Sequence, residues 1–174
     1  MRRAFAVVGL LLATAPAMGV TKPAELATII EAERPYGHGA LSWLMITAYD
    51  ADLWTDAPRW SMQAPFALTL TYHMGFSADE IISRSVQEIK RDSPVTSDAT
   101  LARYRKLMTG AFPAVKSGDE ITGFYAPTGT TQIFLNGRQT GQIHDAAFAQ
   151  AFFGIWLSPS TTEPALRNKL LRLR

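Results

Sequence analysis

The stretch from Thr130 to Leu157 constrains this chain more than any other, because it ends in a segment too apolar to face water. Ala146-Ala-Phe-Ala-Gln-Ala-Phe-Phe-Gly-Ile-Trp-Leu157 carries no charge. Phe148, Phe152, Ile155 and Trp156 recur at i, i+4, i+7 and i+8, one broad apolar stripe of a helix. Asp145 offers its carboxylate to the unpaired N–H groups of the first turn. Just before it, Thr131 to Leu135 alternates as a half-buried strand does. Asn136-Gly137 suits the positive φ values of a two-residue hairpin turn, and Arg138 to Ile143 returns as the partner strand. The helix needs a sheet to cover it, and this hairpin is the nearest one.

The rest of the chain supplies more of the same layers. Ala40 to Asp50 reads as one long strand, apolar on both faces, that opens after Gly37-His-Gly39 and continues or bends through Trp54. Arg59 to Met62 reads as a short strand. Phe66 to His73 is a clearer one, with Phe66, Leu68, Leu70 and Tyr72 on the buried face. Ser77-Ala-Asp-Glu80 is a capping box, predicting a helix to about Arg91 with Ile81, Ile82, Val86 and Ile89 inward. Ser97 or Asp98 caps a second helix ending near Gly110. Glu120 to Ala126 is a strand. Thr161 or Thr162 caps a last helix with Pro164 in its first turn. Between Pro23 and Pro35 lies a short helix or an extended lead-in. Strands and helices in separate runs argue for an α+β fold, an antiparallel sheet with helices layered on one face.

The first 19 residues read differently. Arg2-Arg3 and the apolar run Ala4 to Ala13 precede the small residues Ala15, Ala17 and Gly19, the pattern of a signal peptide. The run is shorter than the ~20 residues a membrane span needs. The expectation is therefore a signal at 1–19, a single domain over 20–174 and a periplasmic location, with no stable span after cleavage. Of the 17 Lys and Arg, two are Arg2 and Arg3, so the remainder balances the 15 Asp and Glu. A neutral domain is a poor nucleic-acid partner. Cysteine is absent, which removes thiolate catalysis, iron–sulfur clusters and Cys-type zinc sites.

Several segments resemble the bacterial chalcone isomerase-like family, in order along almost the whole of 20–174. They are Tyr49-Asp-Ala-Asp-Leu-Trp54 after the Gly-x-Gly entry, Leu70-Thr-Tyr72, Ser85-Val-Gln-Glu-Ile89 and Phe112-Pro-Ala-Val-Lys-Ser-Gly-Asp119. Phe134-Leu-Asn-Gly137 and Phe153-Gly-Ile-Trp-Leu-Ser-Pro159 complete the set and are the most specific. The resemblance implies an open-faced β-sandwich with a cleft between a long antiparallel sheet and a helical layer. Plant chalcone isomerases close a flavanone ring, related proteins bind fatty acids, and others are non-catalytic helpers. Ring closure needs a cation near the developing enolate oxygen. Where the family carries an arginine after the Gly-x-Gly entry, this chain has Leu41 or Ser42. Where it carries a lysine on the next strand, this chain has Tyr72. The family's tyrosine at the following helix falls near Asp79 to Ile81. Tyr49 matches the cleft-facing hydroxyl position.

These residues point to a non-catalytic, exported protein that holds a small apolar or amphipathic, fatty-acid-like ligand between sheet and helices, without a cofactor. Tyr49, Trp43, Thr47, Tyr72 and His38 are the candidate ligand-binding residues. Trp43, Met45 and Thr47 share Tyr49's face on an unbroken strand, and His38 lies beside the cleft entry, where it can replace the missing cation. Trp156 and Phe152 read as core. Two alternatives stay open. One is an isomerase or intramolecular lyase using Tyr49, Tyr72 and His38. The other is a protein–protein interaction module with a closed core. The histidines His38, His73 and His144 lack metal-ligand spacing, so no metal is expected. Asp50, Asp52 and Asp56 read as a solvated run, and Arg167, Lys169, Arg172 and Arg174 as the outer side and end of the last helix.

Overall fold

Alternation along the strands sorts apolar from polar side chains onto two faces, and the architecture follows from where each face goes. The computed structural model describes residues 20–43, 45–93 and 95–173; the signal-peptide reading of 1–19 lies outside them. Six strands run in the order β1 (Gly37–Trp43), β2 (Ile46–Trp54), β3 (Phe66–Tyr72), β4 (Glu120–Ala126), β5 (Thr130–Leu135) and β6 (Arg138–His144). Each pairs antiparallel with its sequence neighbour, a meander in a single sheet. Helices α1 (Ala78–Asp92) and α2 (Asp98–Thr109) are inserted between β3 and β4, and α3 (Ala146–Leu157) and α4 (Pro164–Leu170) follow β6. This is the expected α+β class, with the helices on one face.

The local signals act as their chemistry requires. The Ser77 hydroxyl accepts from the Glu80 N–H while Glu80 returns to the Ser77 N–H, a complete capping box. The Asp145 carboxylate accepts from the Phe148 N–H. Asn136 and Gly137 take φ of 49° and 81°, closing the β5–β6 hairpin. Phe148, Phe152, Ile155 and Trp156 are all buried. The rings of Phe148 and Phe152 stack at 5.5 Å, and Phe152 meets Trp156 edge-on at 5.3 Å.

Three readings change. The long strand from Ala40 to Asp50 is instead a hairpin: the chain turns at Met45, which has φ of 69° and is fully exposed, and β1 folds back on β2. Two adjacent apolar strands had imitated one strand buried on both faces. Arg59 to Met62 is not a strand but part of the loop between β2 and β3, where the Trp60 ring packs edge-on against Phe66 at 5.6 Å. Neither Thr161 nor Thr162 caps α4, whose N-cap position is Glu163 with no side-chain cap. Thr161 instead donates to the Ile155 carbonyl at 2.5 Å, and Thr162 to Glu88 at 2.6 Å.

Gly37 and Gly39 explain how α4 seats. A Cβ on Gly37 would lie 1.9 Å from the Leu170 carbonyl oxygen, and one on Gly39 would lie 2.6 Å from the Leu166 side chain. Both glycines therefore face the helical layer, and His38 between them faces the other way. That outer face carries a second core of Leu26, Ile30, Trp54, Ala67 and Phe124. The lead-in from residue 20, with one 3-10 turn at Ala24–Leu26, lies over it. The Asp56 carboxylate pins that lead-in by accepting from the Glu31 and Ala32 N–H groups at 3.0 and 2.7 Å.

Candidate functional site

The helical layer does not close onto the sheet everywhere. A cavity with about 940 Å³ of unfilled space, its open mouth included, lies between them. Its floor is the inner face of the sheet: Leu41 from β1, Tyr49 from β2, Leu68, Leu70 and Tyr72 from β3, Ile121 and Gly123 from β4, and Ile133 from β5. The i, i+2 spacing of these positions is what brings them to one surface. The walls come from Ile81 and Ser85 on α1, Phe112 after α2, and Phe152, Phe153, Ile155 and Trp156 on α3. Gly123 gives the Phe153 ring its place, since an added Cβ would lie 3.3 Å from that ring.

Polar groups are few and sit toward one end. The Trp156 indole N–H donates to the Tyr49 hydroxyl at 3.0 Å, joining floor to wall. The rings of Tyr49 and Tyr72 meet edge-on at 5.6 Å. Burial pushes the hydroxyl pKa of Tyr49 well above its ordinary value, only partly offset by the Trp156 bond, and burial pushes Tyr72 up too. Both phenols therefore stay protonated. The rim carries Glu80, Arg84, Glu88, Thr162 and Glu163. Glu88 is buried and fully engaged: Arg84 reaches it at 2.9 Å, Arg91 at 2.7 Å and the Thr162 hydroxyl at 2.6 Å. It ties α1 to the start of α4.

Of the five candidate residues, the structure brings two together, Tyr49 and Tyr72. Thr47 does not join them. A register shift between Leu41 and Ser42 turns it to meet the Ser42 hydroxyl at 3.0 Å near the exposed hairpin end. His38 also lies elsewhere: it faces away from the helices and bonds Asp52 at 2.7 Å, so it cannot stand in for a cation in the cleft. The Trp43 side chain lies outside the described residues. Met45, thought to share their face, is in solvent.

Of Asp50, Asp52 and Asp56, read as a solvated run, Asp56 is exposed and Asp50 half-buried, while Asp52 is not solvated. Asp52 is 3% exposed against His38, Asp50 bonds His73 at 2.7 Å, and Asp56 holds the lead-in. Of the basic residues read as the outer side of the last helix, Lys169 and Arg172 are exposed, Arg167 reaches back to the Leu157 carbonyl, and Arg174 lies outside the described residues. Sequence reasoning missed Arg84, Glu88 and Trp156 as cavity residues. Helical periodicity does not distinguish a rim residue from a solvent-facing one. Among the described residues, no group of three or more His, Asp or Glu is placed to hold a metal, and no helix is long and apolar enough to cross a membrane.

The geometry is that of a lidded sheet with an apolar interior site, and comparison with known proteins identifies its class. Residues 37–172 match the family model described as chalcone isomerase-like. The chain belongs to that family. A protein of Haemophilus influenzae described as uncharacterized is 25% identical over 139 residues, 79% of this chain and 67% of its own length. The crystal structure of an Arabidopsis thaliana fatty-acid binding protein superposes with a TM-score of 0.60 at 13% identity, covering 87% of this chain and 95% of the other. At that identity the likeness is one of fold.

Proposed function

We propose that this protein is a non-catalytic, exported carrier that holds one small amphipathic molecule with an apolar, acyl-like chain between sheet and helices. One observation carries the reading: a cavity lined mostly by aliphatic and aromatic side chains, with Trp156, Arg84, Glu88 and Glu163 near the Tyr49 hydroxyl. Water filling such a site makes few hydrogen bonds, so an apolar chain displaces it favourably. The fatty-acid binding structural neighbour supports a chain-like ligand. The interaction-module alternative needs the core to be closed by its own side chains, and the open cavity weighs against it. Export rests on Arg2-Arg3 and the apolar run that follows.

An isomerase reading keeps one point in its favour, the two protonated tyrosine hydroxyls at one apolar site. Among the described residues, Glu163 is the one rim carboxylate left to serve it as a base. Glu80 is committed to Ser77, and Glu88 to two arginines and Thr162. The test is mass spectrometry of an organic extract from protein purified out of a periplasmic fraction. The expected result is a chain-bearing molecule at near-stoichiometric amount, absent from Leu70→Trp, whose larger side chain occupies the cavity. An empty extract, together with failure to take up any added amphiphile, would overturn the proposal. Turnover that collapses in Tyr49→Phe would replace it with the isomerase reading.

A further inference from the structure

We infer that the cavity selects an amphiphile with an uncharged, hydrogen-bond-accepting head, such as an ester, ketone or alcohol, over a free carboxylate. This rests on the carrier reading above and names the chemistry of the head. The Tyr49 oxygen already accepts from Trp156, so what it has left to offer is its O–H. Tyr72 makes no hydrogen bond through its hydroxyl among the described residues, though the residue is only 6% exposed. Two O–H donors without acceptors among the described residues line the cavity. A ligand acceptor atom satisfies them; a ligand donor does not.

The charges around them decide the rest. A carboxylate leaving water needs a cation of its own. Arg84 is the cation on the rim, and it is already paired with Glu88. Glu163 and Glu80 add two more carboxylates to the same rim, and the Glu163 carboxylate has no partner among the described residues. Glu163 is also the charge felt most strongly at the Tyr49 hydroxyl, ahead of Arg84. The field at the polar end therefore opposes an anion and is indifferent to a neutral head.

Equilibrium dialysis at pH 7.5 of the lipid-stripped protein with decanoate, methyl decanoate and decyl alcohol tests this. The three probes share chain length and differ in head charge. The ester and alcohol should bind at least about tenfold more tightly than decanoate. Glu163→Lys should narrow that gap severalfold by tightening decanoate alone, whereas a merely structural effect would move all three together. Decanoate binding as tightly as the ester would overturn the head-group assignment and leave the carrier reading standing. A gap unchanged in Glu163→Lys would also overturn it. Failure of all three to bind would remove both.

Discussion

At the scale of single residues, the bond between Trp156 and Tyr49 is the one most exposed to test. Trp156 is 6% exposed, and its indole N–H has the Tyr49 oxygen as its partner. Tyr49→Phe keeps the ring but strands that donor, which costs about 1–3 kcal/mol. Replacing both partners removes the stranded group as well as the bond. Tyr49→Phe with Trp156→Phe should therefore destabilise by less than the sum of the single changes in a double-mutant cycle followed by urea denaturation. Strict additivity would mean the bond is not made in solution. Glu88 makes a contrasting case. Its arginine partners keep over half of their side chains in water, so they are rehydrated when it is removed. Its main consequence is positional, since it joins α1 to Thr162 at the cavity rim.

At the scale of elements, the contact between β1 and α4 depends on the absence of two side chains. In Gly37→Ala the new methyl meets the Leu170 backbone carbonyl, which cannot rotate aside, so α4 must shift. In Gly39→Ala it meets the flexible end of Leu166. Gly37→Ala should cost about 1–3 kcal/mol or more, and Gly39→Ala distinctly less; denaturation midpoints give the comparison, and an equal loss at the two positions would contradict this packing. The same pair shows what was legible in the sequence. Local chemistry was: the Ser77–Glu80 box, Asn136-Gly137, and the stripe of α3 each specify their element within a few neighbouring residues. The β1–β2 hairpin was not, because its turn places Met45 at positive φ with none of the Gly, Asn or Asp residues that usually announce one. That missed turn carried two errors into the site. It put Met45 on Tyr49's face, and it hid the alternation that sends His38 outward once Gly37 and Gly39 face α4; Thr47 was misplaced by the register shift beside it, which local pattern does not announce either. Arg84 and Glu88 were missed for a different reason: their place at the rim depends on where α1 lies over the sheet, a long-range fact absent from local pattern.

For the whole molecule, the sheet separates two unlike interiors, and the less conspicuous one governs how stability depends on pH. The inner face meets the helices and the cavity, while the outer face combines a small apolar core with buried polar side chains. Asp52, Thr69 and Thr122 are at most 3% exposed there, and the Glu25 carboxylate has a buried oxygen without a hydrogen-bond partner. Glu120 stands near this group. Burial first, then the charges of Glu25 and Asp52, push its carboxyl up from the ordinary 4.5 to about 7. The sign follows from proton linkage. Below about pH 4.5 the carboxyl is protonated in both native and unfolded chains, and its contribution is fully present. As pH rises from 4.5 to 7, the unfolded chain releases the proton while the native chain retains it, so stability falls. Above about pH 7 the native carboxylate is ionised against Glu25 and Asp52, and the loss is complete, on the order of 2 kcal/mol once solvent screening of this partly exposed carboxyl is allowed for. Glu120→Gln is neutral throughout and lacks this slope. Asp52, whose carboxyl is also raised by burial, and Asp119, lowered first by its bond from Asn136, titrate in both proteins, so they largely cancel in the difference. Urea denaturation at pH 5 and pH 8 should show Glu120→Gln gaining on the parent by about 2 kcal/mol between the two, because the parent alone loses stability over that interval. An equal difference at both pH values would mean that Glu120 is already ionised at pH 5, and that the outer face is open to water rather than sealed by the lead-in.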